Sequence, residues 1–182
     1  MNNKTKYLTM SALFAALLAV CSQIQIPLPM VPINLALFGA YLAGALLGPK
    51  HGTISVFIYV LLGASGVPVF AGFTGGFRCV IGPTGGYIIG YIIAAFAVGF
   101  LTKKLGYTWW KLSLSMIIGM MLCYIVGTIW FMNVMKFSLS TSLVYCVYPF
   151  LPGDAIKILA ATFLTLRLRK TLPELMQVEV RV

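Results

Sequence analysis

The chain alternates long apolar runs with short polar or glycine- and proline-rich breaks. Six apolar segments stand out, at residues 7–26, 33–47, 52–69, 85–102, 112–132 and 151–168. Each is close to the length needed to cross a hydrocarbon core of ~30 Å. Uniformly apolar runs of this length are expected to be helices, because an isolated span must satisfy its own backbone hydrogen bonds. Alternating ten-residue segments of the barrel type do not occur. The second run is short, so it is expected to lie tilted or between its neighbours. The first is not read as a signal peptide, since its apolar stretch is long and no small-x-small cleavage site leads into a soluble protein.

Composition sharpens this picture. The sequence has 182 residues, 60% of them hydrophobic and 9% charged, where a soluble domain averages about a quarter charged. The expected fold class is an all-α membrane protein of six transmembrane helices, a single domain over residues 1–182. The net charge of +10 does not indicate a nucleic-acid partner, because its distribution is one-sided. Lys4, Lys6, Lys50, His51, Lys103, Lys104, Lys111, Arg167, Arg169, Lys170 and Arg181 fall on one side of a six-span chain, and only Arg78 and Lys136 on the other. That asymmetry places both termini in the cytoplasm, with anionic lipid as a further contact of the basic side.

The opposite side carries the unusual loops: "SQIQIPLPMVPIN", "GVPVFAGFTGGFRCVIGPTGGY" and "NVMKFSLSTSLVYCVYPFLPGD". Loops of this length in so small a protein are often functional. Cys21, Cys79, Cys123 and Cys146 lack paired spacing, so apolar packing is their expected role, with a disulfide among Cys21, Cys79 and Cys146 toward the outer side as the alternative, and no metal site is expected. His51 sits in a tight turn. "GPTGGYIIGY" is not a phosphate loop, since no Lys-Ser/Thr follows it. Gly86, Gly90 and Ala94 form a small-residue stripe suited to close helix approach. Ala12 and Ala16, and likewise Ala15 and Ala19, form a similar face on the first span, for a neighbouring helix or another subunit.

Asp154 is the only acid before Glu174. It lies fifteen residues before Arg169, roughly 22 Å along a helix. In a core of ~30 Å that is about 8 Å below the outer surface. Lys157 follows at i+3 and Ala161 at i+7, so all three share a stripe expected to face the bundle interior. An ionisable residue inside a span is a functional-site candidate. The pair could be a polar ligand site open to the outside, or a structural ion pair with Asp154 near a helix N-terminus. Enzyme chemistry is not expected: no intramembrane histidine, second carboxylate or nucleophile–base pair accompanies Asp154.

"LLGPKHGTISVFIYVLLGASGVPVFAGFTGG", "GPTGGY" and "PFLPGDAIK", in that order, resemble the BioY family, the biotin-specific substrate-binding subunits (S components) of energy-coupling factor (ECF) transporters. The resemblance implies biotin binding and uptake in a prokaryotic cell membrane, with biotin held near the outer face. Residues 72–87 would form a lid over it. No cofactor is implied. The resemblance implies Asp154 and Lys157 as substrate-binding residues, and Tyr87, Thr74, Arg78 and Asn34 are the further candidates for the site. Where some relatives carry polar or basic side chains this sequence has Ile88 and Thr74, so Arg78 is expected to meet the ligand's carboxylate. Ala12, Ala15, Ala16 and Ala19 would contact the transmembrane coupling subunit, which links the S component to two ATP-hydrolysing subunits. The residues alone also fit an S component for another vitamin, or a self-contained secondary carrier.

Overall fold

The apolar runs fold as helices packed around one short, enclosed helix. The computed structural model describes residues 3–28 and 30–171; Arg181 and Glu174 lie outside the described residues. The elements, in order, are α1 (Asn3–Gln23), β1 (Gln25–Ile26), β2 (Ile33–Asn34), α2 (Ala36–Ala64), α3 (Phe77–Ile81), α4 (Gly85–Leu105), α5 (Trp109–Met135), α6 (Leu139–Cys146) and α7 (Leu151–Thr171). Four helices (in α1, α2, α4 and α5) are long and apolar enough to cross a membrane. The α6–α7 pair, bent by 51°, makes a fifth candidate. Side chains such as Leu13, Phe57, Phe96, Ile125 and Phe163 point outward, as a multi-pass membrane protein requires of surfaces that meet lipid.

α2 contains two of the expected segments. Its helical geometry breaks at Gly48, where φ is 76°. That value is open to glycine, and Pro49 bars helical geometry at the residue before it. The chain reverses there. A Cβ on Gly52 would lie 2.5 Å from the Ala43 carbonyl oxygen, although nine residues of continuous helix would span roughly 13 Å. Residues 36–47 therefore form the short inner helix, about 18 Å long. All of them but Phe38 are buried. This bears out the expectation that the short run lies between its neighbours.

The stripe on α4 also does what its spacing predicts. A Cβ on Gly90 would lie 2.8 Å from Cys123 Sγ, and one on Gly86 would collide with Trp130. Ala94 is fully buried beside Gly119. Gly119, Cys123 and Gly127 make the matching stripe on α5, so the two helices approach to backbone contact.

The long loops are more ordered than their sequences suggest. Gln25 pairs with Asn34 and Ile26 with Ile33 in an antiparallel hairpin. Pro27 and Pro32 bracket these strands, since neither can donate a ladder hydrogen bond. α3 and α6 are short helices inside segments read above as loops. Ser138 caps α6 through a hydrogen bond from Thr141 N. The four cysteines are unpaired.

Candidate functional site

α7 turns Asp154, Lys157, Ile158, Ala161, Thr162 and Thr165 inward, the stripe that the i, i+3, i+7 spacing implied. Asp154 lies in the first turn of α7, where the helix dipole favours an anion. It is 1% exposed and Lys157 6%. Lys157 Nζ donates to Asp154 Oδ1 at 2.7 Å. The Tyr124 hydroxyl, from α5, donates to Asp154 Oδ2. Both carboxylate oxygens are therefore satisfied and the two charges neutralise each other. An ammonium has three N–H groups, so Lys157 keeps donor capacity beyond that ion pair.

The pair borders a small cavity of about 30 Å³, shared with Asn34, Tyr87, Tyr91, Cys123 and Phe150. Adjoining it is a larger cavity of about 210 Å³, lined by Tyr59, Phe70, Thr74, Thr84, Ile88 and others. Val31, Pro32, Asn34, Tyr87 and Tyr91 line both. These side chains divide one chamber into an aromatic vestibule and a charged floor. Largely apolar walls with a few convergent polar groups are the usual make-up of a small-molecule site.

The segment over the chamber is held from two sides. On one side, Gln23 at the end of α1 donates from Nε2 to the Phe70 carbonyl at 3.1 Å and the Val69 carbonyl at 3.2 Å. Its Oε1 accepts from Phe73 N at 2.8 Å, and Ser22 Oγ donates to the Val69 carbonyl. These bonds hold Phe73 at a φ of 54°, which is sparsely populated for a bulky residue. On the other side, Trp130 Nε1 donates to the Gly82 carbonyl at 3.0 Å. Between these anchors Phe70 turns inward, edge-to-face on Tyr59 at 5.5 Å, and pairs its backbone with Thr74.

Of the six candidate substrate-binding residues, the structure brings five around this chamber. Asp154 and Lys157 form the floor, Tyr87 and Asn34 lie at the division, and Thr74 is in the roof. Tyr87 is held by a 3.1 Å hydrogen bond to Thr128. Asn34 Oδ1 accepts from Ala36 N at 3.0 Å, so its carbonyl serves the start of α2. Arg78 is exposed on α3 and lines neither cavity. The alanine face is split. Ala12 and Ala16 are exposed, whereas Ala15 is buried in the core and Ala19 is half-buried against it. Around a helix Ala12 and Ala16 lie about 40° apart while Ala15 and Ala16 lie about 100° apart, so with Ala15 turned into the core a partner's helix can reach only the first pair.

Sequence reasoning missed Tyr124, Tyr59, Tyr91 and Gln23. A signal existed for the tyrosines: each lies within a span, away from the interfacial belts where tyrosine is common in membrane proteins, and a buried phenol needs a partner. Gln23 carried no such signal.

The model of the BioY family matches residues 1–174. The probable biotin transporter BioY of Pyrococcus horikoshii is 39% identical over 91% of this chain and 98% of its own. The biotin transporter BioY of Thermotoga maritima is 39% identical over 91% of this chain and 96% of its own. A crystal structure of the S-component for biotin from an ECF-type ABC transporter superposes with a TM-score of 0.87 at 37% identity, covering 93% of this chain and 94% of that one. Matched by the family model over nearly its whole length, and by relatives and a solved structure of the same extent, the chain belongs to the BioY family.

Proposed function

We propose that this chain is the membrane-embedded substrate-specificity subunit of an ECF-type transporter and that it binds biotin in the chamber floored by Asp154 and Lys157. The observation that carries the reading is the buried Asp154–Lys157–Tyr124 constellation beneath an aromatic vestibule. Biotin has a ureido ring with two N–H donors and a carbonyl, an apolar thiophane body and an anionic tail. Lys157 can donate to the ureido carbonyl, while Asp154 and the Tyr124 oxygen accept from its N–H groups. Tyr59, Phe70 and Tyr87 offer apolar walls to the ring system. The tail would point toward the roof, where Thr74 lies and where Arg78 can swing in to meet the carboxylate.

In this reading the two halves of α2 count as separate spans, so the chain crosses the membrane six times. Both termini and the basic end face the cytoplasm, and the chamber opens outward. A cysteine replacing Lys104, in a chain whose native cysteines are substituted, stays protected from an impermeant thiol reagent in intact cells; ready labelling would reverse the orientation. The exposed Ala12–Ala16 pair admits close approach by a helix of the coupling subunit, through which two ATP-hydrolysing subunits act. Ala16→Trp is expected to weaken that assembly while sparing biotin binding.

The decisive experiment is to purify the full chain in mild detergent and titrate it with biotin and with other vitamins. Saturable, biotin-selective binding that Asp154→Asn weakens supports the assignment. Selective binding of a different vitamin would keep the transporter class and change the substrate. Uptake of similar rate with and without the coupling module would favour a self-contained carrier.

A further inference from the structure

A second apolar concavity lies away from the chamber, at the basic end of the bundle. It runs between residues 49–64 of α2 and α4, encloses about 430 Å³, and is lined by Pro49, Lys50, Thr53, Ile54, Phe57 and Phe96. We propose that this groove holds one anionic phospholipid, its acyl chain along Phe57 and Phe96 and its phosphate at Lys50.

The wall is carbon along its length. Ile54, Phe57 and Phe96 are 37%, 48% and 52% exposed. Thr53, the one neutral polar residue there, turns its hydroxyl back onto the Pro49 carbonyl at 2.5 Å and so presents its methyl. Phe100 stacks on Phe96 at 6.2 Å and extends the wall toward the basic end. The helices are locked side by side, because Gly99 lies against Gly48 and Pro49 with no room for a Cβ.

The charge lies at one end only. Lys50 is exposed, and its ammonium has no hydrogen bond or ion pair among the described residues. On α4 the Phe96, Phe100, Lys103 spacing (i, i+4, i+7) carries the same polarity, with exposed Lys103 and Lys104 at the helix end. α2 and α4 run antiparallel here, so all three lysines lie toward the same end of the bundle. From Phe57 to Lys50 is seven residues, roughly 10 Å along the helix, enough for a substantial part of an acyl chain. A soluble anion would leave the carbon wall unused, and a neutral acyl chain would leave Lys50 unpaired. An anionic lipid satisfies both, and a lysine near an anionic membrane surface is worth about fivefold in binding.

The proposal is independent of which vitamin the chamber takes. The full chain, in mild detergent, is mixed with equimolar phosphatidylglycerol and phosphatidylcholine of identical acyl chains, and retained lipid is read by native mass spectrometry. Phosphatidylglycerol is expected to be retained about fivefold over phosphatidylcholine. Lys50→Gln should bring the ratio near one without changing the melting temperature. Ile54→Trp, which fills the groove, should lower retention of both lipids. Equal retention by the native chain, or an unchanged ratio in Lys50→Gln, would overturn the site and leave ordinary lipid solvation. Unchanged lipid retention in Ile54→Trp together with lost assembly with the coupling subunit would also overturn it, assigning the groove to that protein.

Discussion

The two ends of this bundle are closed by different means. At the basic end the closure is mostly backbone: α2 reverses at Gly48–Pro49, Gly52 packs on Ala43, and Gly99 covers the turn. Arg169 adds a cation–π contact 3.3 Å above the Tyr107 ring. At the chamber end the closure is made by side chains reaching across to loops: Gln23 and Ser22 to 69–73, and Trp130 to Gly82. Backbone contact through glycine tolerates no added volume. Hydrogen bonds are worth about 1 kcal/mol each and can be exchanged for bonds to water. The difference teaches what each end tolerates. The basic end has no room to rearrange, whereas the roof over the chamber is held by bonds that water can replace.

The sharpest way to break this comparison is to add volume at the base. Gly52→Leu places carbon against the Ala43 carbonyl and is expected to cost about 3 kcal/mol or more, read as a large fall in detergent melting temperature. Wild-type melting would show that the base yields as readily as the roof. Next in size is the chamber floor. Asp154→Asn keeps the side chain's shape, and is expected to weaken biotin by roughly 10–100-fold, with a smaller effect on melting. Were the pair only scaffolding, affinity would hold while melting fell steeply, because removal of one partner strands the other buried charge; Lys157→Met sharpens the distinction from the other side.

The roof should respond more gently. Gln23→Ala removes side-chain bonds to Val69, Phe70 and Phe73. We expect roughly 5–10-fold weaker biotin, carried by faster dissociation in stopped-flow measurements, with melting nearly unchanged. A large melting loss would mean that the roof is as integral as the base. The smallest effect belongs to Arg78, exposed on α3. Arg78→Ala should weaken biotin by roughly 2–5-fold, the scale of an exposed ion pair, and a biotin amide less. An equal loss for both ligands would leave Arg78 outside the site.

The sequence by itself determined the features that depend on local spacing. Six apolar runs, the reversal between the second and third, the small-residue stripe on α4 and the inward Asp154–Lys157–Ala161 stripe could all be read from residue type and helical period. One molecule's sequence suffices there because the physics is local: 3.6 residues per turn decides what shares a face, and glycine before proline cannot continue a helix. Only the tertiary structure decided which way each face turns and what meets across the bundle. The alanines of α1 were legible as two pairs, but packing against α2 turned Ala15 inward and left Ala12 and Ala16 outside. Tyr124 reaches Asp154 across 30 residues and Gln23 reaches Phe70 across 47. No periodicity links such positions. Their bonds form because burial leaves a carboxylate and loop carbonyls without water, and the nearest donor is whichever side chain the packed helices bring there.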